Sequence, residues 1–264
     1  MDLQLQKKTA IVTGSTAGIG LAIAHALARE GASVIVNGRS QARVDEAIQE
    51  IKQESPTATV KGVAADLSTI AGVHQLAREV HEIDILVNNL GIYEAKPFEK
   101  ISDEDWRHII EVNLMSGVRL SRLYLPKMRE RNWGRIIFIS SESAVQTPVE
   151  MIHYGVTKTA QLALARGLAE SAAGTNITVN SVLAGPTRSE GVEGFVRGMA
   201  AERGVDEKQV EKEFFQNVRP TSLLKRFATP DEVASLVAYL CSPIASATSG
   251  AALRVDGGVV RSLL

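Results

Sequence analysis

Tyr154 and Lys158 stand four residues apart in His153-Tyr154-Gly155-Val156-Thr157-Lys158, and on a helix that spacing puts both side chains on one face. A free phenol titrates at about 10 and shuttles protons poorly at neutral pH, but a neighbouring cation favours its ionised form. Lys158 is placed to be that cation, so the pair predicts a tyrosine that gives and takes a proton. The same spacing also suits a solvated helix face, and the rest of the chain decides between the two.

Thr13-Gly14-Ser15-Thr16-Ala17-Gly18-Ile19-Gly20 follows an apolar strand and opens a helical pattern that runs to Glu30. A dinucleotide site needs that context. Gly14 permits the tight turn, Gly18 lets the backbone approach a pyrophosphate, Gly20 lets helix pack on strand, and the helix N-terminus meets the negative charge. Ser15, Thr16 and Ile19 complete the loop as cofactor contacts. The spacing is Gly-x3-Gly-x-Gly, not Gly-x-Gly-x2-Gly. At the end of the second strand a carboxylate would bind a ribose 2′-hydroxyl, whereas a basic residue accommodates a 2′-phosphate. The chain has Asn37-Gly38-Arg39-Ser40 there, so the planar fork of Arg39 favours NADP(H) over NAD(H). Asp66, with Leu67 beside it, ends the third strand and can accept from an adenine amino group or cap the next helix, a task Ser68 can also fill.

Elements that position such loops follow from the pattern. Short β-branched runs (9–13, 33–37, 59–64) alternate with helical patterns (19–30, 42–54) and continue as strands near 83–87, 135–140, 177–182 and 251–255, with long helices near 104–130 and 151–173. This predicts a three-layer α/β fold, a doubly wound parallel sheet of about seven strands of Rossmann type, in one domain over 1–264. Ligands in such sheets bind beyond the carboxyl ends of the strands. The segment 184–229 breaks the rhythm, and its charged stretch at about 188–219 is read as an insertion over the site, a substrate lid. Phe195, Val196 and Met199 form one apolar stripe there and Val210, Phe214 and Phe215 another, predicting two short amphipathic helices and a substrate with an apolar body if they line the pocket.

With 29 basic and 30 acidic residues the chain has no electrostatic footprint for nucleic acid or anionic membrane. Its single cysteine, Cys241, in an apolar run, excludes an internal disulfide and reads as buried filler. The five histidines show no ligand spacing, so no metal is expected; His153 projects about 100° away from Tyr154 on the helix and reads as surface or packing. No apolar stretch has the length of a membrane span and the first residues lack a signal core, so a cytoplasmic protein is expected.

Together the glycine loop at 13–20, Asn88-Asn89-Leu90-Gly91, Asn113, Ser141, and Tyr154 with Lys158 resemble the short-chain dehydrogenase/reductase family in its short single-domain form, near its 3-oxoacyl-carrier-protein reductase-like members. The resemblance covers nearly the whole chain. It implies Tyr154 as general acid/base, Ser141 rather than Ser140 as the hydroxyl that holds the substrate oxygen, Lys158 as the group that lowers the tyrosine pKa and binds the nicotinamide ribose, and Asn113 as the anchor of a water in the proton path. It further implies Asn89, Gly91, Gly185 and Thr187 as cofactor contacts, Thr187 at the carboxamide, and Tyr93, Glu94, Ser143, Val145 and Met151 as pocket candidates. The chain departs from the family at Leu90, where Ala is usual, and at Ala184, where Pro is usual. A homo-oligomer, most simply a tetramer, is expected from apolar residues on more than one side of the long helices and from the terminal Leu263 and Leu264. The competing readings are an NAD-dependent alcohol dehydrogenase and a non-catalytic NADP(H)-binding protein, which a broken serine-tyrosine-lysine set would favour.

Overall fold

Strands covered on both faces are apolar at nearly every position, and the eight residues of β5 (Gly134–Ser141) and of β6 (Ile177–Ala184) are all buried. The computed structural model describes residues 2–263. The other strands are β1 (Thr9–Val12), β2 (Ser33–Gly38), β3 (Val60–Ala64), β4 (Ile85–Asn88) and β7 (Ala252–Val255), and all seven pair in parallel in the order 3-2-1-4-5-6-7. Alternate strand residues face opposite layers. Ala10 and Val12, Ile137 and Ile139 pack with α1 (Gly18–Arg29), α2 (Gln41–Glu54) and α9 (Pro230–Cys241), whereas Ile11, Ile136 and Phe138 pack with α3 (Ile70–Glu79), α5 (Ser116–Glu130) and α6 (Ile152–Ser171). The expected three-layer, seven-stranded fold is the observed one, and strand order reverses between β1 and β4, where the functional loops converge.

Two features differ from the sequence reading. The single helix expected over 104–130 is α4 (Asp103–Ile110), a wide π turn at Glu111–Met115, and α5. Two helices went unmarked. Short α3 carries Gly72 in its first turn, where a Cβ would lie 2.0 Å from the Asp66 carbonyl oxygen, and α9 announces itself by a Thr229–Glu232 capping box with Pro230 at its first position. Cys241 ends α9 fully buried, and burial pushes its thiol up to about 12, as fits inert filler. The charged stretch expected to hold two short helices lies between Thr187 and Ala228. It comprises α7 (Glu190–Arg203), α8 (Glu207–Glu213) and a π turn at Phe214–Val218, and the chain returns to pair Ala228 with Thr187. Among the described residues no helix is long and apolar enough to cross a membrane.

Candidate active site

The glycine loop is built from backbone and close contacts that favour glycine. Gly14 and Gly18 take φ of +60° and +55°, in the left-handed region. At Gly20 a Cβ would lie 2.4 Å from the Gly14 oxygen and 2.5 Å from Asn89 Nδ2. Asn89 Nδ2 donates to the carbonyls of Thr13 and Gly14, and Thr13 Oγ1 accepts from the amides of Asn89 and Leu90, so the loops after β1 and β4 are one unit. Gly14 also packs closely on this loop: a Cβ there would stand 3.3 Å from Leu90 Cα. Asn37, which sequence reasoning passed over, ties β1, β2 and β3 together by accepting from the Gly14 amide and donating to the carbonyls of Val63 and Ala65.

The first-turn amides of α1 have no side-chain cap, since Ala17 is the N-cap, and no acidic residue sits in that turn. Such orphan donors at a helix start fit a pyrophosphate. Not every loop side chain faces the cleft. Ser15 is fully buried and donates to the Val12 carbonyl at 2.6 Å, so it braces the loop from beneath, whereas Thr16, Gly18 and Ile19 stay partly exposed. Arg39 is exposed beside Ser40, which begins α2 without a side-chain cap bond, and Gly38 lies against Thr16. Asp66 Oδ1 accepts from the Ser68 amide and hydroxyl, and Thr69 rather than Ser68 caps α3; Leu67 has its side chain in the core, leaving its backbone for contact.

Ser141, Tyr154, Lys158, Asn113 and Gly91 converge on the ends of β4 and β5. Lys158 Nζ donates to the Ile139 carbonyl at 2.9 Å, and Ser140 Oγ donates to the Lys158 carbonyl at 2.9 Å, stitching β5 to α6. Ser140 thereby faces α6 and leaves Ser141 at the cleft. The Lys158 ammonium is 5.5 Å from the centroid of the half-buried Tyr154 ring. Burial holds the phenol above its ordinary pKa, contact with Ser141 draws it down, and Glu142 and Tyr93 push it up. Burial also lowers Lys158 to about 8. At Gly91 a Cβ would be 3.4 Å from Lys158 Nζ and 3.5 Å from Asn113 Oδ1, so the missing side chain leaves their shared space open.

Asn113 lies in the π turn, a distortion that recurs at functional sites. Its side chain accepts from the Ile92 amide (2.8 Å) and donates to the Ile92 carbonyl (2.9 Å) and Thr157 Oγ1 (3.0 Å), while its own carbonyl accepts from Gln161 Nε2 at 2.6 Å. The side chain therefore clamps the loop after β4. Gly185 follows β6 where a Cβ would collide with the Asp256 backbone at 2.5 Å, and Thr187 Oγ1 donates to the Gly185 carbonyl at 2.9 Å.

Of the pocket candidates, Tyr93 packs edge-on to Tyr154 with ring centroids 6.3 Å apart, and its hydroxyl is 3.2 Å from where a Cβ of Gly191 would be. Val145 and Glu94 are exposed and Met151 is half-buried. Ser143 is buried, with its hydroxyl on Glu142 at 2.9 Å. His153 is packed, not exposed, its ring 5.9 Å from that of Trp106. In the insertion Val196, Ala200, Val210, Phe215 and Phe227 form a core of their own, so the two stripes chiefly pack on each other; Phe195 leaves its stripe and is exposed. Sequence reasoning missed Glu142 and Arg219, a nearly buried ion pair beside Ser141 with Nε–Oε1 of 3.0 Å. A cavity of about 450 Å³ lies at the opposite, amino end of β5 and β6 and contains none of these residues.

The sequence profile described as short chain dehydrogenase matches residues 8–200. The chain is 49% identical over 263 residues to the oxidoreductase YvaG of Bacillus subtilis, with each chain covered in full. It is 35% identical over 263 residues to the 3-oxoacyl-[acyl-carrier-protein] reductase FabG of Aquifex aeolicus, covering 98% of this chain and 100% of that one. Among solved structures, L-sorbose reductase from Gluconobacter frateurii, complexed with NADPH and L-sorbose, superimposes with a TM-score of 0.94 at 34% identity over the whole of both chains.

Proposed function

The chain belongs to the short-chain dehydrogenase family of NAD(P)-dependent oxidoreductases acting on CH–OH or C=O groups, and from that membership and the site geometry we propose that it exchanges hydride between NADP(H) and a carbonyl or secondary alcohol, with Tyr154 as general acid/base. The observation that carries this reading is the convergence of the Tyr154 phenol, the Ser141 hydroxyl and the Lys158 ammonium at one open strand end. The nicotinamide group supplies or accepts the hydride. Gly14, Gly18, Gly20, Thr16 and Ile19 hold its pyrophosphate at the uncapped start of α1, Asn89 keeps that loop rigid, Arg39 takes the 2′-phosphate, and Asp66 and Leu67 meet the adenine. Thr187, beside Gly185, takes the carboxamide.

During reduction the Tyr154 hydroxyl gives its proton to the substrate oxygen, and Ser141 donates to the same oxygen and fixes its place. Lys158 binds the ribose hydroxyls and favours the resulting phenolate; Asn113, near Lys158 across Gly91, lets a water return the proton. Oxidation runs these steps backwards. Tyr93, 57% exposed and edge-on to the Tyr154 ring, supports a substrate with an apolar body. The balanced charge supports an enzyme that acts in the cytoplasm as one domain with its insertion as lid. A screen of ketones, aldehydes and secondary alcohols with both cofactors, read at the reduced-nicotinamide absorbance, tests the reading: turnover with NADPH or NADP⁺ is expected, and none with either cofactor would overturn it.

A further inference from the structure

β5 ends at Ser141, and the chain turns at once into a short 3-10 segment, Glu142–Ala144. An acidic side chain at that turn would ordinarily reach solvent. Glu142 instead folds back and is 5% exposed. Its Oε2 accepts from the Ser141 hydroxyl, the Ser143 amide at 2.7 Å and the Ser143 hydroxyl at 2.9 Å. Its Oε1 accepts from Arg219 Nε at 3.0 Å. Arg219 lies 77 residues away, immediately after the π turn of the insertion, with its side chain 11% exposed, and its Nη1 also reaches Glu150 Oε1 at 3.3 Å. A carboxylate buried without a cation is strongly unfavourable, so the insertion supplies the charge that lets Glu142 stay beside the reacting groups.

We propose that Glu142 and Arg219 are joint positioning residues: Glu142 orients the Ser141 hydroxyl, and Arg219 neutralises Glu142, so that seating of the insertion governs both the serine and the charge facing Tyr154. The inference rests on the function proposed above. Its consequences follow from charge. The groups facing Tyr154 are Lys158 from its own helix, Tyr93 from the loop after β4, and Ser141 and Glu142 from the end of β5; Arg219 acts through Glu142, and Glu150 lies beyond Arg219, its side chain 42% exposed. An unpaired Glu142 disfavours the phenolate, and a lone Arg219 favours it. Arg219 also divides the acceptor capacity of the carboxylate, loosening its hold on the serine proton that a substrate oxygen needs.

The test is the pH dependence of kcat/KM for oxidation of cyclic, short-chain and polyhydroxylated secondary alcohols with saturating NADP⁺, measured for the unaltered protein, Arg219→Gln, Glu142→Gln, the double variant and Arg219→Lys. Arg219→Gln is expected to move the rising limb to higher pH and Glu142→Gln to lower pH, each by roughly half a pH unit or more. The double variant should fall between them, and Arg219→Lys should restore the original limb. If both single variants lose rate with the limb unmoved, or shift it in the same direction, the inference is overturned, because a purely structural role changes rate without opposite shifts. Should Arg219→Gln fail to fold, Glu142→Gln and Arg219→Lys still carry the comparison, since an unmoved limb in Glu142→Gln overturns the proposal by itself. Tyr154→Phe assayed alongside separates the two claims: surviving turnover, or no turnover by the unaltered protein, sinks the underlying reading, whereas lost turnover with unmoved limbs in the other variants sinks only the role of the pair.

Discussion

Lys158 is a functional group kept at a cost to the fold. Burial depresses its pKa from 10.5 to about 8, and at about 1.4 kcal/mol per unit the penalty is on the order of 3 kcal/mol. The folded state loses its proton near pH 8 and the unfolded state near 10.5, so the penalty is complete below 8 and fades between the two values. Lys158→Met is therefore expected to raise Tm at neutral pH, and thermal melts should show that gain shrinking as pH rises through this window; a gain independent of pH would contradict the account. Arg39 makes a different prediction. Its exposed guanidinium forms no ion pair among the described residues, which leaves it free for a 2′-phosphate. NADPH should bind tighter than NADH by about 1.5 to 3 kcal/mol, the worth of a charge-assisted bond, and Arg39→Ala should remove most of that gap in calorimetric titrations. Equal affinities in the unaltered protein would rule this out. The Tyr154–Lys158 pair is legible in sequence because its geometry is local, four residues on one helix. Glu142 is not, because what makes it notable is burial against Arg219.

At the scale of elements the insertion is a small cluster hung from the Thr187–Ala228 bridge. Phe215 is 2% exposed, with the rings of Phe214 and Phe227 at 5.0 and 5.1 Å. Removing a buried aromatic ring costs roughly 3–5 kcal/mol where it is fully packed, but a satellite cluster opens locally before the sheet does. Phe215→Ala should thus speed hydrogen exchange across 190–218 while leaving exchange of the strands near that of the unaltered protein; uniform acceleration would show that the insertion is not a separate unit. The strands were legible because most of them are short runs rich in Val and Ile between loops. Boundaries inside 104–130 were not, since a π turn keeps helical hydrophobic spacing while its extra residue serves Asn113. Helix α3 escaped notice for a related reason: its first turn packs Gly72 on the Asp66 backbone, and a glycine in a short segment weakens the helical pattern.

On the scale of the whole molecule, surface remains that a lone chain leaves wet. Val156 on α6 is 47% exposed and Leu263 95%, β7 is a sheet edge with Ala252 and Arg254 exposed, and an open edge invites pairing with another chain. Leu264 lies outside the described residues. On α6, Ala165 faces inward and Leu164 and Leu168 pack partly on the core, whereas Ala163 is exposed. A tetramer built on two-fold axes is expected, and size exclusion with light scattering should give four times the 28.4 kDa chain mass. A monomer at micromolar concentration would refute the prediction, and a dimer would retain one of the two surfaces. Association is the property least readable from sequence, because half-buried apolar residues serve a core and an interface equally well.

The central claim is that the Tyr154 hydroxyl moves the proton that accompanies hydride transfer. Tyr154→Phe keeps the ring, its contact with Tyr93 and the cofactor loops, and removes one oxygen. Steady-state turnover of a carbonyl compound with NADPH, measured together with NADPH affinity by fluorescence titration, tests it most directly. The account predicts that the variant binds NADPH nearly as the unaltered protein does and turns over at background. Retention of most of the activity would contradict it.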